Sequence, residues 1–322
     1  MWRIHLSTDD IRRVRLAPAI DPMWELVHGL QAITNGVGGL VFDPWRRKVR
    51  LHGPARWRAL HALVPAWGYS PDFLTPAVGT TDLREGFETV LRTPRTILRT
   101  DLGRLGSETP LPGWARSLAS GDPETLQRLV TVLGRFHAAH LAPYWGEMRR
   151  QVNEELLAQR RTLCEQGIDG LLSGIGGTVR WEPPAIVLTN KRSELDIHLD
   201  GRGVVLQPSF FAYNDVTLLD LPGEPMVLVY PVSHRLGWLD PESPGARLED
   251  LLSRTRAAML DCLAGGSCTT TELAKRLDIS PASSSEQAKI LREAGLIVSD
   301  RDGRQVVHTA SELGLALLSR SA

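Results

Sequence analysis

The chain is short of cysteine. Its three, Cys164, Cys262 and Cys268, form no CxxC pair, which removes zinc-ribbon, thioredoxin-like and disulfide-scaffold readings. It has no apolar run of membrane-spanning length, and Met1-Trp2-Arg3-Ile4-His5-Leu6 lacks the apolar stretch of a secretion signal. A reduced, cytoplasmic protein with no membrane partner is therefore expected. Net charge is absent too: 37 basic residues balance 37 acidic ones, so any nucleic-acid contact must come from a local patch. Catalytic phrases are missing as well. Neither Gly36-Val37-Gly38-Gly39 nor Gly174-Ile175-Gly176-Gly177 completes a phosphate-loop pattern, and there is no GxSxG or HExxH,. The expectation is a protein that is not an enzyme and carries no cofactor or metal.

A further absence divides the chain. All nine tryptophans lie at or before Trp238, and twenty of the twenty-one prolines lie at or before Pro244. At 322 residues two or more domains are expected. The shift in composition places the boundary at the Pro/Gly/Ser-containing stretch Asp240–Gly245. The domains are then residues 1–245 and 246–322.

The first domain reads as α+β. Trp2, Ile4 and Leu6 alternate with polar residues as a short strand, and Ser7 to Asp10 has the look of a helix start. Asp21-Pro22 begins a second helix with Leu26, Leu30 and Ile33 on its inner face, ending by Asn35-Gly36. Asp122-Pro123 begins another that runs to about Leu141, with a charged helix after Pro143. From residue 179 to 232 the pattern changes to short strands at Ala185–Leu188, Leu195–Leu199, Val204–Gln207, Val216–Leu219 and Met226–Tyr230. Asp200-Gly201-Arg202-Gly203 is placed as a hairpin turn. A mixed domain of helices followed by a small antiparallel sheet is the prediction.

Three features there bear on ligands. Trp45 to Arg58 interleaves basic residues with tryptophan, which suits phosphate contact or, as the preferred reading, arginine stems laid over apolar surface. The loop from Pro65 to Asp82 carries Trp67, Tyr69 and Phe73, candidates to line a small-molecule pocket or to anchor the loop. His137 and His140 are three apart on a helix, but nothing nearby completes a metal set.

The most informative stretch is Thr269–Leu296. Thr269 and Glu272 have capping-box spacing, Leu273, Ala274 and Leu277 make an apolar face, and Ser280-Pro281 caps a second helix. Ser284, Ala288, Leu291 and Gly295 form that helix's buried side, leaving Ser283, Ser285, Glu286, Gln287 and Lys289 outward. This is the plan of a helix-turn-helix. A helix from Leu248 to Ala264, stopped by Gly265-Gly266, precedes it. Strands at Leu296–Ser299 and Arg304–Thr309, around a turn at Asp300–Gly303, make a wing. A last helix is expected from Ala310 to Ser319.

With its Leu273–Leu277 LAxxL phrase, Ile279-Ser280, Leu291-Arg292-Glu293-Ala294-Gly295-Leu296 and Gly303-Arg304, this quarter of the chain resembles the winged helix-turn-helix of ArsR-family bacterial transcriptional regulators. The long region before it resembles the uncharacterised domain that precedes this module in some actinobacterial regulators. The resemblance implies a homodimer that binds double-stranded DNA at a palindromic operator, acts as a repressor, and is controlled by dimerisation or an unidentified small-molecule effector at the first domain. Metal-sensing members carry Cys-x-Cys where this chain has Thr269 and Thr271, and a hydroxyl is a poor soft-metal ligand. Their other metal site needs Asp/His pairs that 310–319 lacks.

The predicted DNA contacts are Lys275, Ser280, Ala282, Ser283, Ser285, Glu286, Gln287, Lys289, Arg301 and Arg304. Residues 246–322 hold ten basic and ten acidic residues, and many relatives have Arg-His where this chain has Glu286-Gln287. A neutral winged helix also fits an alternative, a protein-interaction module without specific DNA binding.

Overall fold

Short-range capping chemistry starts the helices where the sequence places it. The computed structural model describes all residues except 52–56, 77–78, 192, 214, 240–251, 265–266, 278, 303–304, 312, 315–316 and 318–322. The expected linker, the Gly265-Gly266 stop and the Gly303-Arg304 turn lie outside the described residues. The chain divides into two compact units, Met1–Leu239 and Asp240–Ala322.

In the first unit, strand β1 (Trp2–His5) leads into α1 (Thr8–Arg12), where Ser7 and Asp10 close a capping box,. After β2 (Arg15–Leu16) comes α2 (Pro22–Asn35), capped by Asp21 and ended by Gly36 in the left-handed region at φ 69°,. Then follow α3 (Gly39–Leu51), α4 (Arg58–His61), α5 (Leu83–Leu91), α6 (Arg95–Glu108), α7 (Trp114–Ala119), α8 (Pro123–His140) and α9 (Trp145–Ser173). Asp122 caps α8 as predicted. The α9 stretch breaks at Gly167, whose φ of 68° no ordinary helix contains,.

Six strands complete the unit: β3 (Val179–Glu182), β4 (Ala185–Leu188), β5 (Leu195–His198), β6 (Val204–Ser209), β7 (Thr217–Leu219) and β8 (Met226–Pro231). They build two four-stranded sheets, β3-β4-β1-β5 and β2-β6-β8-β7. Both are mixed, which corrects the antiparallel expectation. β1 pairs antiparallel with β4 and parallel with β5; β6 runs parallel to both β2 and β8. Alternation reports which face is buried and says nothing of strand direction. The stretch between β6 and β8 is also long enough for a parallel return.

The Asp200–Gly203 turn is likewise no hairpin, since β5 and β6 belong to different sheets. It hands the chain between them, and Gly203 is fixed there. Its N–H donates to Asp10 Oδ1 at 2.9 Å, its φ is 79°, and a Cβ would lie 2.8 Å from Arg13 O.

Ile4, Leu6, Leu188, Leu206, Leu228 and Tyr230 fill one core cluster with side chains from both sheets. A larger helical cluster gathers Phe42, Trp45, Trp57, Phe136, Phe210, Phe211 and Trp238. α2 joins the two parts through buried polar groups. Glu25 accepts from Phe210 N at 2.7 Å and Phe211 N at 3.0 Å, and His28 sits between Ser209 Oγ at 2.9 Å and Thr217 Oγ1 at 3.1 Å.

In the basic stretch Arg47 and Arg50 are exposed and residues 52–56 lie outside the described ones, while its first two residues are structural. Trp45 is fully buried with Nε1 on His140 O, and Arg46, 1% exposed, donates to Ala32 O, Val37 O and Asp43 Oδ1. In the aromatic loop, Arg104 lies 3.9 Å over the Tyr69 ring, Phe73 is buried with its N–H on Asp101 Oδ2, and Trp67 stands in solvent. His137 packs on Trp145, and His140 on Trp57 and Phe136.

The second unit contains α10 (Arg254–Ala264), β9 (Cys268–Thr269), α11 (Thr270–Arg276), α12 (Pro281–Glu293), β10 (Ile297–Asp302) and β11 (Gln305–Ala310). Its core is Met259, Leu260, Leu263, Leu273, Ala288, Leu291, Leu296 and Ile297. β10 continues through Asp302, opposite Gln305, so Asp300–Asp302, expected in the turn, belong to the strand. Ala310 belongs to β11; beyond it Leu313, Gly314 and Leu317 are helical, and much of the expected last helix lies outside the described residues.

Candidate nucleic-acid interface

α11 begins at Thr269, whose Oγ1 accepts from Glu272 N at 3.2 Å while Glu272 Oε2 accepts from Thr269 N at 2.8 Å. These bonds hold the Glu272 carboxyl below its usual range,. Ser280 caps α12 by accepting from Ser283 N at 3.1 Å, with Pro281 in the first turn.

Ser284, Ala288 and Leu291 are buried as their spacing predicts. Ser284 Oγ donates to Thr270 O at 3.0 Å. A buried hydroxyl is thereby satisfied, and the start of α12 is tied to the start of α11. Gly295 departs from the prediction. It is exposed, has φ 72°, and closes α12 while Leu296 N reaches back to Leu291 O at 2.9 Å,.

The buried trio sets which residues α12 shows to solvent. Ala282, Ser285, Glu286, Lys289 and Glu293 form its exposed ridge, whereas Ser283 and Gln287 lie half-buried along its margin. Lys289 Nζ is 3.8 Å from Glu293 Oε1. Elsewhere on the unit Lys275, Ser280, Arg292 and Arg301 are exposed; Arg304 is outside the described residues. Of the predicted contacts, Ser283 and Gln287 therefore move from the centre of the reading face to its edge. Glu293, which the sequence reading passed over, joins it one turn beyond Lys289.

The wing carries a feature with no short-range signal. β9 adds a third strand, pairing Cys268 with His308 and Thr269 with Val307. Buried His308 bridges Thr270 Oγ1 at 2.9 Å and Ser299 Oγ at 2.8 Å, fastening the wing to the start of α11. Burial lowers its pKa, with Arg292 adding to the effect, so the ring is neutral near pH 7.

Three helices in this order, the second and third joined by a short capped turn, followed by a two-stranded wing, decide the motif. Residues 251–300 match the helix-turn-helix domain family. The C-terminal unit carries a helix-turn-helix domain. The match runs through α10, α11 and α12 into β10. The chain is also 32% identical over 71 residues to the HTH-type transcriptional regulator NmtR of Mycobacterium tuberculosis (strain ATCC 25618 / H37Rv), an alignment that covers 22% of this chain and 59% of that protein.

Within the helix-turn-helix domain, Cys268 is buried, with Arg276 Nη1 3.1 Å from its Sγ and 3.6 Å from that of Cys262. Burial pushes the Cys268 thiol up. Among the described residues no group of three His, Cys, Asp or Glu is placed to hold a metal ion, and no helix is long and apolar enough to cross a membrane.

Proposed function

We propose that this chain is a DNA-binding transcriptional regulator, a homodimeric repressor that places α12 in the major groove of a palindromic operator. The observation that carries the reading is the exposed ridge Ala282–Ser285–Glu286–Lys289 on a helix pinned by Ser280 and Ser284. Ala282 and Ser285 are short enough to allow close approach to base edges, and Glu286 can accept from cytosine N4. Lys275, Lys289, Arg292 and Arg301 supply phosphate contacts, with the α12 N-terminus adding its free N–H groups. The likeness to a transcriptional regulator and to the ArsR family supports dimeric action at a promoter.

Control is assigned to residues 1–239 and not to thiolate metal sensing. A guanidinium between the two sulfurs stands where a metal cation would be repelled, which supports that assignment. No catalytic step is ascribed to either unit.

The test is a mobility-shift titration of the full chain with DNA from upstream of its own gene, at two salt concentrations. A sequence-specific shift that weakens steeply with salt is expected. The acids Glu286 and Glu293 on the ridge favour one other reading, a winged helix that binds protein. Absence of any shift at low salt, with the dimer intact by light scattering, would establish that reading in place of ours.

A further inference from the structure

The last turn of α11 carries an arginine whose neighbours are sulfur. Arg276 Nη1 lies 3.1 Å from Cys268 Sγ and 3.6 Å from Cys262 Sγ. Carboxylates are the usual partners of a guanidinium, yet among the described residues this one makes no ion pair. One nitrogen touches both sulfurs, so their separation is at most the span of those two contacts. The thiols come from different elements, Cys262 from α10 and Cys268 from β9, and the fold brings both to the same guanidinium.

The two thiols differ in access. Cys268 is 1% exposed, and burial holds it in its protonated form. Cys262 is half-buried, and its contact with the exposed Arg276 side chain is open to solvent. A small solute therefore meets Cys262 first. A fixed positive charge between two sulfurs suits attack by sulfur on an electrophile, because it favours the thiolate and steadies the anion that departs. It does not suit capture of a cation.

We propose that Cys262 and Cys268 form an oxidation site for small hydroperoxides, with Arg276 as its positioning residue. The Cys262 sulfur attacks one peroxide oxygen and the O–O bond breaks. The thiol proton passes to the departing oxygen, which leaves as an alcohol, or as water from hydrogen peroxide, and Cys262 becomes a sulfenic acid. The Cys268 sulfur then attacks the Cys262 sulfur, the S–O bond breaks, and hydroxide leaves with the Cys268 proton as water. In sum, two thiols lose two hydrogens to form one disulfide while one peroxide is reduced. The site is argued from sulfur geometry without the DNA reading, and it is an input separate from the control assigned to residues 1–239.

The experiment uses the full chain carrying Cys164→Ser, which removes the exposed cysteine of α9 and leaves the pair. The reduced protein is treated with hydrogen peroxide or cumene hydroperoxide, sampled over time, alkylated in denaturant and digested with trypsin. Both cysteines fall in one peptide, 257–275. That peptide is expected two hydrogens lighter, without alkyl groups, and dithiothreitol should reverse the change. Cysteines this near in sequence also pair in an unfolded chain, so the same reaction is timed in urea. The native protein should react about tenfold faster or more. Arg276→Gln should slow the native reaction about tenfold and leave the rate in urea unchanged, with Arg276→Lys restoring most of the loss. Cys268→Ser should accumulate a dimedone-reactive sulfenic acid at Cys262. Two alkylated cysteines persisting under peroxide, or a native rate no higher than that in urea, would overturn the proposal. So would an unchanged rate in Arg276→Gln that is folded by circular dichroism. Should that variant fail to fold, the ratio of native to denatured rates in the Cys164→Ser chain decides the matter. DNA takes no part in the measurement, so its failure is distinct from a failure of the regulatory reading.

Discussion

Replacing Glu25 by glutamine turns the buried α2 carboxyl into a measurement. Glu25 is fully buried, and its polar partners are the Phe210 and Phe211 amides and Ser209. Burial, with a smaller push from Asp21, raises its pKa from 4.5 to about 7. The folded state therefore holds this proton more tightly than the unfolded chain does. The resulting stabilisation is complete below the unfolded value of 4.5 and disappears as pH rises through about 7,. At about 1.4 kcal/mol per tenfold difference in proton affinity, the whole effect is about 3 kcal/mol.

His28, one turn along, opposes it: burial lowers its pKa from 6.5 to about 4. Its contribution is present above 6.5 and lost as pH falls through about 4,. The wild-type profile thus conceals both groups, and only a difference between proteins exposes one of them. Glutamine keeps the size of Glu25 and cannot ionise, but turns one N–H of its amide toward a backbone N–H, costing about 1–3 kcal/mol at every pH. Urea unfolding followed by tryptophan fluorescence suits the test, because all nine tryptophans precede residue 240 and so report on the first unit alone. The stability advantage of wild type over Glu25→Gln should shrink by about 3 kcal/mol between pH 4.5 and 7.5,. A constant gap would refute the buried-proton argument. A gap that widened with pH would show that the two amides hold a carboxylate.

In the helix-turn-helix domain, Ser284→Ala should cost about 1 kcal/mol in chemical denaturation, and Ser284→Leu several times that, because no space exists where Ser284 Oγ meets Thr270 O,. Thr269→Ala should cost about 1 kcal/mol by loss of the capping box, with Thr269→Ser restoring most of it,. Glu286→Ala should relax base preference at one operator position by about 1–3 kcal/mol in competition binding, whereas Ser283→Ala, at the margin, should change little,. Arg301→Ala should weaken binding to all sequences alike and lower the salt slope by about 1. An altered base preference in Arg301→Ala would reverse the assignment of ridge and wing.

What could be read from the sequence was set by interaction range. Ser7 with Asp10, Asp21-Pro22, Asp122-Pro123, Thr269 with Glu272 and Ser280-Pro281 each complete their hydrogen bonds within four residues, and each starts a helix. The pairing of β1 with both β4 and β5, and the grip of Glu25 on Phe210, join residues 180 or more positions apart, and no local pattern encodes them. The ridge of α12 is an intermediate case. The buried set Ser284, Ala288 and Leu291 was legible, yet successive helix positions turn by about 100°. That phase alone puts Gln287 beside the buried stripe and Glu286 opposite it, whereas Ser283 and Ser285 flank the stripe at equal angles and differ only in what packs on either side.

The central position of β1 in its sheet has a consequence for biosynthesis. Trp2–His5 is synthesised before α1–α9, and its partners Ala185–Leu188 and Leu195–His198 only after all of them. The helices must therefore gather while this strand waits unpaired, its apolar side chains open to chaperones or to other nascent chains. A chain that stalled or was cut near residue 173 would keep that adhesive edge permanently. Expression trials of the first unit should place the cut after Leu239, because Trp238 beyond the last strand still belongs to its helical core.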